Sequence, residues 1–183
     1  MQDTPLVHSL QHDCAACSGL CCVVLPFDAG QGFGFDKEAH MPCSHLQHDF
    51  GCGIHKDLEA QGFRGCIHYS CHGAGQRVTR LFGESSWRSN PARAAEIYAV
   101  FTRMQKLHEL QQLLQVALAT VSNELWQKRL QREQSRLEQL CQQVEVQNAV
   151  DVVAAAATIH TLLRQLATEP AIVALRSTQT TRG

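Results

Sequence analysis

The sequence predicts a small irregular unit rich in cysteine, followed by an all-α three-helix antiparallel bundle. Three observations carry that reading. Eight of the nine cysteines (Cys14, Cys17, Cys21, Cys22, Cys43, Cys52, Cys66 and Cys71) fall between positions 14 and 72, together with six of the ten histidines. No stretch of ten or more residues before about position 90 has clean periodicity. Beyond that point apolar residues step by three and four, as one face of a helix requires. The expected division is 1–76 for the Cys-rich unit, 77–89 for a connector, 90–170 for the bundle and 171–183 for a flexible tail.

Residues 1–13 are a polar lead-in of no clear type. Gly19 supplies a turn between the Cys14–Cys17 pair and the adjacent Cys21 and Cys22. The run CCVVLPF reads as a short strand ended by Pro26. Three glycines among residues 29–34 mark a loop. Pro42, just before Cys43, keeps any helical turn there short. Leu46, Phe50, Ile54, Leu58 and Phe63 are scattered between turns, and Gly62 and Gly65 bracket the approach to Cys66. Asn90 caps the first long helix, with Pro91 pre-set at its first position. Its stripe is Val100, Met104, Leu107, Leu110, Leu114, Leu118 and Val121. A second helix is expected over about 122–145, with Trp126, Leu130, Leu137, Leu140 and Val144 in line, interrupted by Glu133 and Gln134. A third is expected over about 148–168, carrying Val152, Ala156, Ile159, Leu163 and Leu166 and ended by Pro170. Short joints between the three predict an up-down-up arrangement.

Sixteen basic against seventeen acidic residues give a net charge of −1. That balance, without a dense basic patch interleaved with aromatics, argues against nucleic acid as a partner. The longest apolar runs, Cys21 to Phe27 and Val152 to Ile159, fall far short of the roughly 20 residues a membrane-spanning helix needs. The N-terminal stretch MQDTPLVHSLQHD is polar and lacks the pattern of a secretory signal. A cytoplasmic location follows as the expectation, and there thiols stay reduced.

In a reducing compartment, clustered cysteines point to metal. Zinc and iron–sulfur clusters both favour soft thiolate ligands, which lose their protons on binding. The CxxC spacing of Cys14 and Cys17 lets two sulfurs face one ion, and six further cysteines follow within 54 residues. Adjacent side chains usually diverge, so Cys21 and Cys22 are expected to serve different sites or to bridge two metals. Eight thiolates suit two four-ligand sites, or one cluster with a second metal. The sequence does not divide them. The folding argument agrees. Residues 14–72 hold only fifteen large apolar side chains in 59 positions. Ordering each residue costs roughly 1.5 kcal/mol, so a loop-rich unit of this kind needs a staple. Structural zinc contributes about 10–16 kcal/mol of apparent binding energy to small peptides and couples binding to folding. The first unit is therefore expected to be a metal-binding unit holding zinc or an iron–sulfur cluster at one or two metal sites.

The residues also resemble a known family. CxxCxxxCC (Cys14 to Cys22), PCxxL (Pro42 to Leu46), CxIH (Cys52 to His55), and Cys66 and Cys71 with four residues between them are similar to the CxxCxxCC family of zinc- or iron-chelating proteins (YkgJ-like). The resemblance covers residues 14–72, about a third of the chain. It implies bound zinc or iron, and a flagellin lysine methylase among the relatives implies that a methylase-like role is open. This chain departs from the family at three places. Ser18, Gly19 and Leu20 stand where two residues are usual, His55 replaces a tyrosine, and LEAQGFRG stands where an Arg-Pro is usual. Through CHGAGQ and on into the helices, the chain is similar to a Cys-rich N-terminal segment of some bacterial pentapeptide-repeat proteins, although no five-residue repeat occurs here.

A disulfide framework is the competing account of the cysteines. An odd total of nine weighs against it. Of the histidines, His55 and His72 sit nearest cysteines and are the best ligand candidates. His40, His45, His48 and His68 read as surface or outer contacts, His8 and His12 as solvated, and His108 and His160 as interfacial or exposed on helices. Cys141 reads as a small buried hydrophobe. Gly73-Ala74-Gly75-Gln76 lacks the GK[ST] of a phosphate loop and reads as a tight turn beside a metal-bound sulfur. A Cys71 nucleophile with His68 or His72 as base conflicts with ligation of that thiol. The function expected is a structural or sensing metal-binding protein whose helical half meets a protein partner or a second copy. The alternatives are an iron–sulfur redox protein or enzyme, and a metal storage or delivery protein. No paired carboxylates, HExxH or nucleotide loop supplies a catalytic set.

Overall fold

The computed structural model describes residues 10–147 and 150–169, so His8, Pro170 and the expected 171–183 tail lie outside the described residues. Among those described, the chain is mostly helical and has no strands. It forms two compact units, 1–108 and 109–183.

The first unit contains a 3-10 turn at Cys14–Ala16, α1 (Leu20–Val24), α2 (Arg64–His68), α3 (Ala74–Phe82) and a 3-10 turn at Pro91–Arg93. The first half of α4 (Ala94–Thr120) completes it. The run CCVVLPF, expected as a strand, is helical over α1. The reason is periodicity. Leu20, Val23 and Val24 are at most 4% exposed and stand at i, i+3 and i+4, so one helical turn buries all three. A strand would alternate them and send Cys21 and Cys22 to opposite faces. Strand-like pairing survives only as two isolated antiparallel bridges, Phe27 with Lys37 and Leu46 with Cys52.

Two small cores hold this unit. One is aromatic: Phe27 stacks on Phe33 with ring centroids 4.5 Å apart, and Phe63 meets Phe27, Phe33, Phe35 and His45 edge-on. The other comprises Leu20, Val23, Ala74, Val78, Ile97, Phe101, Met104 and Leu107, all at most 2% exposed. Trp87 and Arg88 tie loops to it. The Trp87 indole N–H donates to the Ser18 carbonyl at 2.8 Å. The Arg88 guanidinium lies over the Phe50 and Trp87 rings and donates to the carbonyls of Gln47 and His48.

The second unit holds the rest of α4, α5 (Glu124–Gln147) and α6 (Val152–Ala167). Gln111 pairs with Glu138, and the Gln127 amide reaches the carbonyls of Leu118 and Val121, which sets α4's second half antiparallel to α5. Arg129, near the start of α5, meets Gln165, near the end of α6. Asn123 and Asp151 cap α5 and α6 through side-chain oxygens, satisfying backbone donors that have no partner inside the helix. The buried stripes differ from expectation by about one position. On α5 the line is Trp126, Leu130, Glu133, Leu137, Cys141 and Val144, with Leu140 half-buried at its side. On α6 it is Ala155, Ile159, Leu162 and Leu166. Cys141 is fully buried, as a small hydrophobe should be. None of the described helices is long and apolar enough to cross a membrane.

Candidate metal centre

Helix α1 aims its apolar residues inward and leaves Cys21 and Cys22 on another face. Gly19 makes the entry to that helix. Its φ of 68° lies in the left-handed region, and a Cβ there would stand 2.7 Å from a Leu46 methyl. Cys14 and Cys17 are carried by the first 3-10 turn, where the Cys17 N–H donates to the Cys14 carbonyl. That turn is docked on α3. The Ser18 N–H donates to the Thr79 hydroxyl at 2.9 Å, the Asp13 N–H donates to the Gln76 side-chain oxygen, and the Gln76 amide donates back to the Gln11 carbonyl. Cys71 stands just before α3, and Gly75 on α3 lies against the sulfurs of both Cys17 and Cys71.

The remaining ligand candidates come from loops. The Cys43 N–H donates to the Cys22 carbonyl at 2.9 Å, which fixes the Cys43 turn on α1. The Leu46 N–H donates to the Cys43 carbonyl, and the bridge between Leu46 and Cys52 brings the next cysteine alongside. Cys66 lies on α2, one turn beyond Phe63 of the aromatic cluster.

All eight cysteines line one cavity of about 260 Å³. Its other walls include Phe27, Phe33, Phe63, Ile54 and Tyr69. Since a water occupies about 30 Å³ of liquid, the space is several times larger than one ion needs. Among the described residues, no three His, Cys, Asp or Glu side chains already stand in a geometry that holds a metal ion. The thiols surround the cavity without closing on one point. Cys21 and Cys22 do converge. Their sulfurs are 3.9 Å apart, where divergence was expected.

The hydrogen bonds to sulfur have a common form. The N–H groups of Leu20 and Gly19 donate to Cys17, that of His45 to Cys43, and that of Ile54 to Cys52. Such bonds favour thiolate over thiol. They act against burial, which raises the pKa of Cys14, Cys17, Cys43 and Cys52 and pushes Cys66 up to about 11. Cys22 is the exception. The hydrogen bond from the Cys21 thiol lowers it to about 7, assisted by the Lys37 ammonium, and the same bond raises Cys21.

Lys37 and Tyr69 stand at the site and were missed from sequence; Gly75, expected in a tight turn, instead lies in the first turn of α3 against the Cys17 sulfur. Lys37 is 7% exposed, and its ammonium donates to the carbonyls of Val23, Glu38 and Met41 at 2.8–3.2 Å. It holds a positive charge beside Cys22 and Cys43, where thiolates would accumulate negative charge. The Tyr69 hydroxyl is buried at the cavity without a hydrogen-bond partner, and its nearest charged neighbours are the thiols of Cys21, Cys71, Cys17 and Cys22. An unsatisfied buried donor costs about 1–3 kcal/mol. A sulfur-bound anionic centre in the cavity would give it an acceptor. We expect Tyr69→Phe to weaken metal affinity while leaving the far-UV signal of the metal-free protein unchanged. Competition with a chelator and circular dichroism would read the two effects; an affinity equal to that of the unsubstituted protein would contradict this role.

The histidines match expectation only in part. His12, His45 and His55 line the cavity, whereas His72 does not. His72 instead has a left-handed φ of 47°, and its carbonyl accepts the Nδ1–H of His108 at 2.6 Å. His108, expected to be interfacial or exposed, is fully buried. His40 stacks on Tyr98. His160 is exposed, as expected.

The class that fold and site define is a helical protein with an irregular Cys-rich unit whose eight thiols line one cavity. Over 113 residues the chain is 46% identical to the uncharacterized protein YybG of Bacillus subtilis, an alignment covering 61% of this chain and 40% of that protein. The chain therefore spans less than half the length of the curated relative it matches. No family model and no solved structure matches it.

Proposed function

We propose that this chain is a metal-binding protein in which Cys14, Cys17, Cys21, Cys22, Cys43, Cys52, Cys66 and Cys71 hold zinc or an iron–sulfur cluster in a reducing, cytoplasmic setting. The single observation that carries this reading is the convergence of all eight thiols on one cavity, from segments as far apart as Cys14 and Cys71. The donor set fits a soft thiophilic metal. Backbone N–H groups aimed at three of the sulfurs, the buried Lys37 charge and the partnerless Tyr69 hydroxyl all favour an anionic centre there. Bound metal would supply the cross-link that a unit with so few apolar side chains lacks. The fold proposed is this metal unit followed by the three-helix antiparallel bundle, with the bundle as a surface for a protein partner or a second copy. The resemblance to the YkgJ-like family agrees with it.

Purification without oxygen, followed by metal analysis and a visible spectrum, tests this reading. Stoichiometric zinc without colour selects a structural or sensing site. Iron with acid-labile sulfide and a brown colour selects the redox alternative. Neither metal, with the eight cysteines oxidised in cells, overturns the proposal.

The thiol pKa values give a further expectation. Cys14, Cys17, Cys21, Cys43, Cys52 and Cys66 are raised above the ordinary thiol value, so at neutral pH they bear protons that the metal must displace. Each displaced proton weakens apparent affinity tenfold per unit fall in pH. Affinity should therefore drop steeply from pH 8 to pH 6, with Cys22 contributing only below about 7, where it too is protonated. Chelator competition across that range, with proton release measured alongside, checks this. Affinity that does not change with pH would contradict thiolate ligation.

A further inference from the structure

We propose that the eight thiols divide into two four-thiolate centres: Cys14, Cys17, Cys21 and Cys71 in one, and Cys22, Cys43, Cys52 and Cys66 in the other, meeting at the Cys21–Cys22 contact. This division rests on the metal-binding reading above and goes beyond it by assigning each ligand.

The backbone supplies the first set. The turn bearing Cys14 and Cys17 is docked on α3 by the bonds from Ser18 to Thr79 and between Asp13, Gln11 and Gln76. Cys71 leads into the same helix, where its carbonyl accepts the Ala74 N–H. A Cβ on Gly75 would lie 2.7 Å from the Cys17 sulfur and 3.6 Å from the Cys71 sulfur, so these two sulfurs meet over one residue. Cys21 completes this set. The thiols that act most on the Tyr69 hydroxyl are Cys21, Cys71 and Cys17 of this set, followed by Cys22 of the other.

The second set is held by a separate chain of bonds. The Cys43 N–H donates to the Cys22 carbonyl, the Leu46 N–H to the Cys43 carbonyl, and Leu46 bridges to Cys52. Cys66 reaches the same region from α2, which follows Phe63, and Phe63 packs edge-on to His45. The neighbouring thiols that act on Cys66 are those of Cys22, Cys43 and Cys52, and none of the first set. Lys37 adds a cation whose strongest thiol neighbours are Cys43 and Cys22 of this second set, ahead of Cys21 of the first.

Cys21 and Cys22 join the two. Adjacent residues on a helix leave it about 100° apart, so each is directed to its own set, yet their sulfurs remain 3.9 Å from one another. Two centres therefore share a wall in one cavity of about 260 Å³. The chemistry of each is that of four soft anionic sulfurs, which takes one tetrahedral zinc or cobalt ion, or one iron–sulfur cluster.

The test uses the full chain, reduced and metal-free, loaded with cobalt(II) to half of its measured capacity. The free thiols are then alkylated, and intact mass with peptide mapping counts and locates the labels; Cys141, fully buried, is scored separately. The expected result is a capacity of two ions per chain and species carrying zero, four or eight labels. In each four-label species the labels fall together on Cys14, Cys17, Cys21 and Cys71 or together on Cys22, Cys43, Cys52 and Cys66. Four labels drawn from both sets overturn the partition. A population of only zero and eight labels also overturns it, in favour of one shared centre. Labelling of all eight thiols at every cobalt ratio removes the metal-binding reading itself, which separates the two failures. Variants give an independent check. Cys43→Ser with Cys52→Ser should halve cobalt capacity, whereas Cys17→Ser with Cys52→Ser should weaken both centres. Equal behaviour of the two pairs would contradict the assignment.

Discussion

Chelation of the bound metal under reducing conditions is expected to unfold residues 14–72 while most of the helical far-UV signal survives. Helices α1, α2 and α3 are five, five and nine residues long, against 27, 24 and 16 for α4, α5 and α6. Losing the first three therefore removes a small part of the signal. The second unit has its own core, in which Leu110, Leu114, Leu130, Leu137 and Ile159 are at most 1% exposed. The Cys-rich loops give little to the core of the first unit beyond Leu20, Val23 and Val24. The rest of their apolar content is mainly a cluster of phenylalanines around a cavity walled by thiols, and structural zinc supplies about 10–16 kcal/mol to small units of this type. The first half of α4 belongs to the first unit and should fray with it. Cys14→Ser with Cys17→Ser should act in the same direction. Far-UV circular dichroism with and without chelator, paired with limited proteolysis, measures the effect. Loss of all helicity would mean one cooperative domain, and no change would mean that the loops fold without metal.

Gly75→Ala is expected to lower metal affinity on the order of 100-fold while leaving the helical signal of the metal-free protein unchanged. Gly75 lies within α3, where alanine is the better helix former by about 1 kcal/mol. On backbone grounds alone the substitution should stabilise. Its added methyl, however, would stand 2.7 Å from the Cys17 sulfur and 3.6 Å from the Cys71 sulfur. A free thiol moves aside by changing rotamer. A sulfur bound to metal is fixed by the other ligands and cannot. The expected signature is a large loss of affinity with no change in the far-UV signal of the metal-free protein. Chelator competition and circular dichroism read the two halves. An affinity equal to that of the unsubstituted protein would show that Cys17 does not ligate beside Gly75.

Much of the helical half was legible because it obeys one period. Met104, Leu107, Leu110 and Leu114 are fully buried, as steps of three and four require. The errors there are rotations of about one residue. Ala155 and Leu162 are buried in place of Ala156 and Leu163, since alanine-rich α6 offers nearly the same apolar pattern at neighbouring angles. On α5 the stripe passes through Glu133, a carboxylate that sits beside Arg136 and so tolerates a buried position. A pattern search that penalises charge breaks the stripe at that point.

The Cys-rich half was legible in composition and illegible in geometry. CxxC spacing and cysteine density marked the ligand candidates. The form of the Cys21–Cys22 pair was hidden, because β-branched Val23 and Val24 favour a strand by propensity and only tertiary burial makes that run a helix. Lys37, Tyr69 and Gly75 carry no motif. Their roles come from contacts across long sequence separations: Lys37 with the carbonyl of Val23, Tyr69 with thiols on both sides of it, Gly75 with Cys17. His108 was misplaced for the same reason. A histidine on a helix usually faces water, and this one is held between the His72 carbonyl and the Arg77 guanidinium.

X-ray absorption at the metal edge of the protein purified without oxygen tests the central claim most directly. The account predicts a first coordination shell of sulfur alone, close to four per metal, at ~2.3 Å when the metal is zinc. A shell dominated by nitrogen or oxygen, or protein that carries no metal while its thiols remain reduced, would contradict it.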